Sequence, residues 1–416
     1  MEHFKINGGK ALHGAVNISG AKNAALAIIP AALLATGTSV IENLPEIEDI
    51  YNLINIVEQL GAKCEFKNNT LTIETTHVDK HKAIYETVKK IRASYYLLGA
   101  LLSRFKQAEV AMPGGCNFGQ RPIDLHLKGF RNLGASSELA GGMIKLHAEN
   151  LAGSTVYMDV VSVGATINVM LAATLAEGTT VIKSAAREPH VVDTANYLNM
   201  MGAIIKGAGT DTIRITGVKE LKGTTYTIIP DQIEAGTFMI AAAITGGSVR
   251  VQNIIPKHME PLSAKLREMA CILEEGDDYI TVTAPEKLIA TDVKTKVYPG
   301  FPTDLQPQMT ALMACAEGTG IMAETVWENR FQYVNELKRL GCNIKVEGRV
   351  AVTNGPAKLS GAEVTASDLR AGAALVLAGL ASEGTTIISN PRQINRGYEN
   401  IEVKLNALGA DIKRVF

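Results

Sequence analysis

The sequence repeats one pattern six times, and this repeat constrains the fold more than any other feature. A hydrophobic-Gly-Ala phrase or a close variant closes an amphipathic stretch at residues 60, 133, 201, 340 and 408, with a degraded copy, MAC, at 269. Successive phrases begin 73, 68, 68, 71 and 68 residues apart. Such regular spacing indicates six copies of one structural unit.

Each copy contains the same order of patterns. A helix of small apolar residues, such as GATINVMLAATLA, precedes a Gly-Thr turn and a β-branched strand such as TTVIKSA. An amphipathic helix follows and ends at glycine, as in DIYNLINIVEQLGA, and a strand pair such as CEFKNNTLTIET closes the unit. A helix that is apolar on all sides is a buried helix, and glycine is a common helix terminator. Each unit is therefore predicted to hold two helices and about four short strands.

The number of units predicts the domain organisation. Six units in 416 residues favour an α/β protein of two domains, each with three units, with buried helices inside and sheets outside. An extended solenoid is the alternative. The units are long for a solenoid, and polar residues stand at the starts of the buried helices, so two compact domains are the favoured interpretation.

Composition excludes several classes of protein. A formal net charge of −1 argues against broad nucleic-acid binding, which needs a basic surface. Five cysteines without paired spacing do not indicate a disulfide framework or a zinc site, so a reducing cytoplasm fits best. The apolar run AALAIIPAALLA, residues 24–35, is too short to cross a membrane.

Polar side chains at the starts of the buried helices predict a site. If each domain is arranged around a pseudo-threefold axis, the helix starts gather at one end, facing a cleft between the domains, where backbone N–H groups favour phosphates and carboxylates. The cations Lys22, Arg92, Arg121, Arg370 and Arg396 would add full charges there. The alternative is that the polar residues only cap helices, but a cation at a helix start opposes the dipole and needs another reason. The other residues at these starts are Asn23, Ser162, Asp231, Glu234, Asp304 and Asp368.

One cysteine has an unusual context. Cys116 lies in the glycine-rich loop PGGCNFGQRP, with Arg121 five residues downstream. A nearby cation lowers the pKa of a thiol and raises its reactivity, so a reactive Cys116 is favoured over the alternative of an ordinary loop thiol. The loop glycines would allow a lid-like movement. Cys315 lies in an apolar run and is predicted to fill the core. Cys64, Cys271 and Cys342 follow the repeat phrase at strand starts, which indicates a structural setting.

With these residues in hand, the sequence resembles the enolpyruvyl transferases, in the branch that acts on UDP-N-acetylglucosamine. The resemblance covers essentially the whole chain and rests on ISGAKNAAL, PGGC followed by RPIDLH, SVGAT, AAREPHVVDTA, FPTD, DLRA and INRGYE. It implies a two-domain inside-out α/β barrel whose chain crosses twice between the domains. Residues 22–229 would form one domain, and residues 1–21 with 230–416 the other, so that the N-terminal strand joins the C-terminal domain.

The resemblance also implies a reaction. Phosphoenolpyruvate would give its enolpyruvyl group to the 3′-hydroxyl of UDP-N-acetylglucosamine and release phosphate, the first committed step of peptidoglycan synthesis. The implied enzyme needs no cofactor and no metal, because the enol supplies its own leaving group, and it binds neither nucleic acid nor membrane.

The resemblance assigns roles residue by residue. Cys116 matches the loop cysteine that acts as general acid or in product release and that fosfomycin alkylates. Asp304 matches the carboxylate proposed as the base beside the sugar hydroxyl. Lys22, Arg121 and Arg396 match the cations that hold phosphoenolpyruvate, with Arg92 nearby. The remaining implied substrate contacts are Asn23 in the cleft, Arg121, Pro122, Ile123, Asp124, Leu125, Ser162, Val163, Gly164 and Val326 at the nucleotide sugar, and Asp368 and Arg370 in the cleft.

Two positions depart from the pattern of the family, and three alternatives to the reaction stay open. Val160 and Gln232 stand where some members have a lysine and an arginine, so each removes a cation. The related shikimate-pathway enzymes share the architecture but lack the PGGC and SVGAT stretches. A non-catalytic repeat scaffold would not need the charged helix starts, and an idle sensor of nucleotide sugars would bind without releasing phosphate.

Overall fold

The computed structural model describes residues 2–83, 88, 92–112 and 123–416, with only the backbone of Arg92. The α-helices are α1 Lys22–Ala32, α2 Glu48–Gln59, α3 Tyr96–Phe105, α4 Asp124–Asn132, α5 Val163–Ala173, α6 Pro189–Met200, α7 Gln232–Ile244, α8 Glu260–Glu268, α9 Gln306–Ala314, α10 Val334–Arg339, α11 Leu369–Ala381, α12 Arg392–Asn395 and α13 Ile401–Ala407. Short 3-10 helices are Arg92–Tyr95, Pro256–Met259, Thr303–Leu305 and Arg330–Tyr333.

The strands are short, as the repeat predicts. They are β1 His3–Asn7, β2 His13–Asn17, β3 Thr38–Glu42, β4 Lys63–Lys67, β5 Thr70–Glu74, β6 Lys82–Ala83, β7 Gln107–Ala111, β8 Ser136–Ala140, β9 Met143–His147, β10 Thr155–Tyr157, β11 Thr179–Lys183, β12 Ile204–Lys206, β13 Thr212–Thr216, β14 Thr225–Thr227, β15 Ser248–Gln252, β16 Ile272–Glu275, β17 Tyr279–Thr283, β18 Val293–Lys294, β19 Gly318–Ala323, β20 Ile344–Glu347, β21 Val350–Gly355, β22 Glu363–Thr365, β23 Thr385–Ser389 and β24 Ile412–Val415.

The described residues divide into two compact units. The N unit contains the described part of residues 20–229, and the C unit contains residues 2–19 and 230–416. The first boundary lies between Ser19 and Gly20, and the second lies between Ile229 and Pro230.

The described strands form six four-stranded sheets, and all six have the same internal order. In the N unit the orders are β14-β3-β5-β4, β6-β7-β9-β8 and β10-β11-β13-β12. In the C unit they are β2-β15-β17-β16, β18-β19-β21-β20 and β22-β23-β1-β24. The first two strands of each sheet are parallel and the other pairings are antiparallel. The predicted six-unit α/β fold is confirmed.

The chain crosses between the units twice. Just before each crossing it forms the first strand of a sheet in the unit that it leaves. Strand β2 leads into α1 of the N unit but pairs with β15 of the C unit, with His13 opposite Ser248. Strand β14 leads into α7 of the C unit but pairs with β3 of the N unit, with Thr225 opposite Val40. Strand β1 pairs with both β23 and β24, so the N-terminus completes the last sheet of the C unit.

The helices rich in small apolar residues form the interior of each unit. In the C unit α7, α9 and α11 pack against one another, and in the N unit α3 packs against α1 and α5. Most residues of these helices are buried. The amphipathic α2 lies outside them, with Leu53 and Val57 buried and Tyr51 exposed. No helix in the described part of the chain combines the length and apolarity that a membrane crossing requires.

The repeat phrase marks a helix end in the left-handed conformation. Its glycine has a φ between 96° and 109° in five copies, which suits a residue without a Cβ atom. These glycines are Gly61, Gly134, Gly202, Gly341 and Gly409. In the degraded copy Ala270 takes the same place with a φ of 70°. The repeat therefore conserves a backbone conformation even where it loses the glycine.

This comparison predicts that Ala270→Gly stabilises the protein. Relief of the left-handed strain, which costs about 1–2 kcal/mol, exceeds the added chain entropy of glycine, about 0.5–1 kcal/mol. We expect the free energy of unfolding to rise by about 0.5 kcal/mol, measured by urea unfolding followed by circular dichroism. The matched control is Gly409→Ala, where nothing lies within 4 Å of the added Cβ atom, so it should destabilise through the backbone alone. A loss of stability in Ala270→Gly would contradict this explanation.

Candidate active site

Two acidic residues cap the buried helices of the C unit. Asp231 Oδ1 accepts hydrogen bonds from the backbone N of Ile233 at 2.7 Å and of Glu234 at 3.1 Å. Asp368 Oδ1 accepts from the backbone N of Arg370 at 2.9 Å and of Ala371 at 3.1 Å. The capping interpretation therefore accounts for the positions of Asp231 and Asp368 in the sequence.

Asp304 lies where α9 begins and is held by two buried cations. Arg370 Nη2 donates to Asp304 Oδ2 at 3.1 Å, and Arg330 Nη2 lies 3.8 Å from Asp304 Oδ1. Both arginine side chains are 4% exposed, whereas the Asp304 side chain is 33% exposed. The carboxylate is thus fixed from the protein interior and stays accessible to solvent.

Arg370 remains charged in this setting. Burial lowers its pKa, but Asp304, Tyr398 and Asp231 outweigh burial, and the pKa of Arg370 lies above its usual value. The Arg370–Asp304 contact joins the starts of α9 and α11, and α7 packs against both helices. This convergence within the C unit is what the repeat predicts.

Glu324 organises the loop beside Asp304, and sequence reasoning missed it. Its buried carboxylate accepts hydrogen bonds from Thr295 Oγ1 and Thr303 Oγ1, both at 2.9 Å, and from the backbone N of Val326 at 2.7 Å. Glu324 therefore ties Val326 to the residue that precedes Asp304. A glutamate in the polar stretch ETVWENR carries no sequence signal for burial, because only its distant partners make burial tolerable.

Arg396 follows α12 in the same unit. It is half-buried, and its Nη1 donates to Gln393 Oε1 at 3.2 Å. Its predicted contact with phosphoenolpyruvate remains a proposal.

In the N unit Lys22 is the first residue of α1 and forms a buried ion pair. Its Nζ lies 2.7 Å from Asp49 Oδ2 at the start of α2, and both side chains are less than 10% exposed. The Asp49 charge offsets the unfavourable position of a cation at a helix start. The ion pair gives Lys22 a structural role that the sequence did not reveal. Asn23, the next residue, is half-buried.

Two predicted nucleotide-sugar stretches of the N unit come together at His126. Ser162 caps α5, with its Oγ accepting from Ala165 N at 3.3 Å. A Cβ atom on Gly164 would lie 3.0 Å from His126 Cε1 and 3.1 Å from Tyr95 Cε2, so a larger residue would push these rings away by a few tenths of an ångström. The helix α4, which begins at Asp124 directly after Ile123, packs against α5, so His126 in its first turn brings the predicted stretch 123–125 near the stretch 162–164.

His126 is buried as a neutral imidazole. Asn168 Oδ1 accepts from Gly99 N at 2.9 Å, which turns the Asn168 amide nitrogen toward His126 Nδ1 at 2.8 Å. The Nδ1 atom therefore accepts, and the ring proton stands on Nε2. Burial lowers the pKa of His126 to about 4, although the nearby Asp124 charge acts in the opposite direction.

This depressed pKa predicts a loss of stability in acid. The unfolded chain binds a proton at His126 below about pH 6.5 and the folded chain only near pH 4, so stability falls as pH drops through this window, by about 3 kcal/mol. His126→Asn keeps an acceptor but does not titrate there. We expect the free energy of unfolding, measured in urea at pH 7, 5.5 and 4.5, to depend less steeply on pH in the variant. Equal slopes in both proteins would refute the assignment.

The four described cysteines all have raised pKa values, which disfavour the thiolate form. Burial raises the pKa of Cys271 to about 11 and those of Cys64 and Cys342 to about 12, and it also raises the pKa of Cys315. All four are free. The predicted reactive Cys116 lies outside the described residues, together with Arg121 and Pro122, and so does the side chain of Arg92.

The remaining predicted positions lie at the surface or at a helix start. Val160 is 67% exposed and Val326 is 38% exposed. Gln232 is the first residue of α7. Within the described ranges, the His, Cys, Asp and Glu side chains form no group of three that would hold a metal ion.

Comparisons with known proteins agree in one family. A family model described as EPSP synthase (3-phosphoshikimate 1-carboxyvinyltransferase) matches residues 6–405. The chain is 56% identical over 415 residues to UDP-N-acetylglucosamine 1-carboxyvinyltransferase 3 of Caldanaerobacter subterraneus, with 100% of both chains covered. It is 54% identical over 415 residues to UDP-N-acetylglucosamine 1-carboxyvinyltransferase 2 of Bacillus subtilis, covering 100% of this chain and 97% of that one.

Solved structures have the same fold. The enolpyruvyl transferase NikO from Streptomyces tendae superposes with a TM-score of 0.91 at 30% identity, covering 100% of this chain and 99% of that one. An EPSP synthase from Acinetobacter baumannii superposes with a TM-score of 0.77 at 21% identity over the full length of both chains, which shows a common fold alone.

Proposed function

The chain belongs to the EPSP synthase family of enolpyruvyl transferases, and we propose that it transfers the enolpyruvyl group of phosphoenolpyruvate to the 3′-hydroxyl of UDP-N-acetylglucosamine. Phosphate is released, and the reaction is the first committed step of peptidoglycan synthesis. The observation that carries this proposal is the identity of 53–56% to relatives that are named for this acceptor and that align with at least 98% of this chain.

The reaction needs a general acid and a general base, because protons are added and removed in each of its two steps. C3 of phosphoenolpyruvate takes a proton while the sugar oxygen forms a bond to C2 and loses its own proton. The resulting tetrahedral ketal then loses phosphate by cleavage of the bond between C2 and the phosphate oxygen. C3 gives up a proton as the double bond forms again. General acid–base groups and cations that stabilise the two anionic substrates are therefore required.

Asp304 is the proposed base. Its carboxylate is fixed by Arg370 from the interior, and a third of its side chain is exposed, so that a hydroxyl of the substrate can approach it. Because the raised pKa of Arg370 keeps the guanidinium charged, the carboxylate keeps a permanent counter-charge. Cys116 is the proposed acid, or the residue that assists product release, and the thiol that fosfomycin alkylates.

The other predicted residues are proposed to bind the substrates. Lys22, Arg121 and Arg396, with Arg92 nearby, hold phosphoenolpyruvate. The convergence of residues 123–125 on residues 162–164 at His126 supports a common nucleotide-sugar surface in the N unit. The proposed contacts with the nucleotide sugar and in its vicinity are Asn23, Arg121, Pro122, Ile123, Asp124, Leu125, Ser162, Val163, Gly164, Val326, Asp368 and Arg370.

We place this reaction in the cytoplasm. Free cysteines are typical of proteins in a reducing compartment, and the four described cysteines are free. The proposed reaction uses no cofactor, since the enol phosphate carries its own leaving group.

One alternative acceptor has a specific observation in its favour. The matching family model is named for 3-phosphoshikimate, the acceptor in the shikimate-pathway branch. The likeness to a solved EPSP synthase, at 21% identity, concerns the fold alone. The much higher identity to the nucleotide-sugar relatives therefore favours UDP-N-acetylglucosamine.

Phosphate release tests the acceptor directly. Incubation of the protein with phosphoenolpyruvate and UDP-N-acetylglucosamine should release inorganic phosphate, measured colorimetrically, together with one equivalent of enolpyruvyl sugar nucleotide. The matched control replaces the nucleotide sugar with 3-phosphoshikimate and should stay at the blank. Release only in the control would identify a shikimate-pathway enzyme, and release in neither would support an idle sensor or scaffold.

Fosfomycin labelling tests the reactive thiol. We expect intact-protein mass spectrometry to show one adduct on the wild type and none on Cys116→Asp. The variant should retain measurable phosphate release, because a carboxylic acid can also donate a proton. The control is Cys271→Ser, which removes a buried thiol of raised pKa and should be labelled like the wild type. An adduct that persists on Cys116→Asp would mean that another cysteine reacts.

A further inference from the structure

A buried tyrosine connects the interior of the C unit to the proposed base. Tyr398 lies between α12 and α13, is 2% exposed, and places its hydroxyl among the three central helices. The hydroxyl oxygen lies 2.9 Å from Thr237 Oγ1 on α7, 3.1 Å from Gln308 Nε2 on α9 and 3.3 Å from Arg370 Nη1 on α11. A single atom thus contacts all three helices near the ends where they begin.

The direction of each hydrogen bond follows from the donors. Arg370 and the Gln308 amide nitrogen can only donate, so the Tyr398 oxygen accepts from them, and the same Gln308 nitrogen lies 3.2 Å from Thr237 Oγ1. The Thr237 hydroxyl gives its proton to a backbone carbonyl, which can only accept. Tyr398 therefore donates its own proton to Thr237 Oγ1, which in turn donates to the Ile233 carbonyl at 2.8 Å. Burial raises the pKa of Tyr398, although the Arg370 charge acts against this, so the phenol keeps the proton that the network requires.

Gln308 also reaches the backbone of the proposed base. Its Nε2 donates to the Asp304 carbonyl at 3.1 Å as well as to Tyr398. Because that carbonyl can only accept, the amide nitrogen of Gln308, and not its oxygen, faces Asp304 and Tyr398. The network therefore holds Asp304 at its main chain through Gln308 and at its side chain through Arg370.

The orientation of Arg370 depends on few contacts. Nη2 binds Asp304, Nη1 binds Tyr398, and the buried Nε atom has no hydrogen-bond partner among the described residues. The guanidinium also lies 5.6 Å from the centre of the Tyr398 ring. Without the Tyr398 hydroxyl, Nη1 of Arg370 would be buried without an acceptor. The guanidinium would then rotate toward another acceptor.

We propose that Tyr398 is a positioning residue for catalysis: its hydroxyl fixes Arg370, and Arg370 holds the Asp304 carboxylate in the orientation that accepts the proton of the sugar hydroxyl. This inference rests on the proposed role of Asp304 as the base. It adds a residue that does not itself touch the reacting atoms and that acts through a chain of two hydrogen bonds.

The test uses Tyr398→Phe in the full-length protein. Phenylalanine keeps the ring against Arg370 and removes only the hydroxyl. We expect kcat for phosphate release to fall about tenfold, because small misplacements of a catalytic group are costly, while KM for each substrate stays within about twofold. A kcat close to that of the wild type would overturn the proposal.

The matched control is Tyr333→Phe. The Tyr333 hydroxyl is equally buried in the same unit and contacts the same helix, at 3.0 Å from Gln306 Oε1 and 2.9 Å from Thr310 Oγ1. We expect both variants to lower the thermal midpoint of unfolding, but Tyr333→Phe to keep kcat within about twofold of the wild type. An equal loss of kcat in both variants would mean that a buried hydroxyl matters only for stability, and the proposal would fail.

A double-mutant cycle with Asp304→Asn separates this inference from the proposed function. Asp304→Asn should lower kcat by about a hundredfold or more. In that background Tyr398→Phe should change kcat by less than about twofold, since the hydroxyl acts through a carboxylate that is already lost. Independent effects would refute positioning through Asp304 while leaving the reaction intact. An active Asp304→Asn protein would refute the base and, with it, this inference, and an inactive wild type would refute the proposed reaction itself.

Discussion

Burying helices that have almost no polar face is the constraint on which the rest of the structure depends. Helices such as α7 and α11 are surrounded by other helices and sheets, so a charged side chain along their length would be buried without water. Their first turns are different, because the unpaired N–H groups there need acceptors. Polar residues are therefore placed at the starts of these helices, and in the C unit the candidate site residues lie where the starts of α7, α9 and α11 come together.

Several charged groups at or near these ends are matched by partners from other segments. Asp304 meets Arg370 and Arg330, Lys22 meets Asp49, and Glu324 accepts from hydroxyl and amide donors. His126, which is buried without an opposite charge in hydrogen-bond contact among the described residues, is instead neutral, because burial lowers its pKa. The proposed base, Asp304, is thus paired with a permanent cation in the interior, while a third of its side chain stays exposed.

The sequence predicts what is local and repeated, and it fails where partners are distant. The six units, their buried helices and their short strands follow from periodicity and from the glycine phrase, and all are present. The acids that cap α7 and α11 were recognised from their place before apolar runs. Asp49 and Tyr398 were missed because each matters only through a residue far along the chain. A buried carboxylate or phenol has the same local sequence as a solvated one.

The strand order shared by all six sheets explains how the chain can cross between its units without disturbing the sheets of either unit. Every sheet has the same strand order, so each position needs only a short strand of suitable polarity, whichever segment supplies it. The first position is filled by β2 in one crossing sheet and by β14 in the other, and β1 fills the third position of the last sheet. Ser19 and Ile229 then lie directly before the two boundaries. Central helices begin shortly after these boundaries, at Lys22 with Asn23 and at Asp231 with Gln232. Each crossing segment therefore brings polar residues to the candidate site residues of the unit that it enters. The topology and the chemistry of the helix starts therefore have a common origin in the repeat.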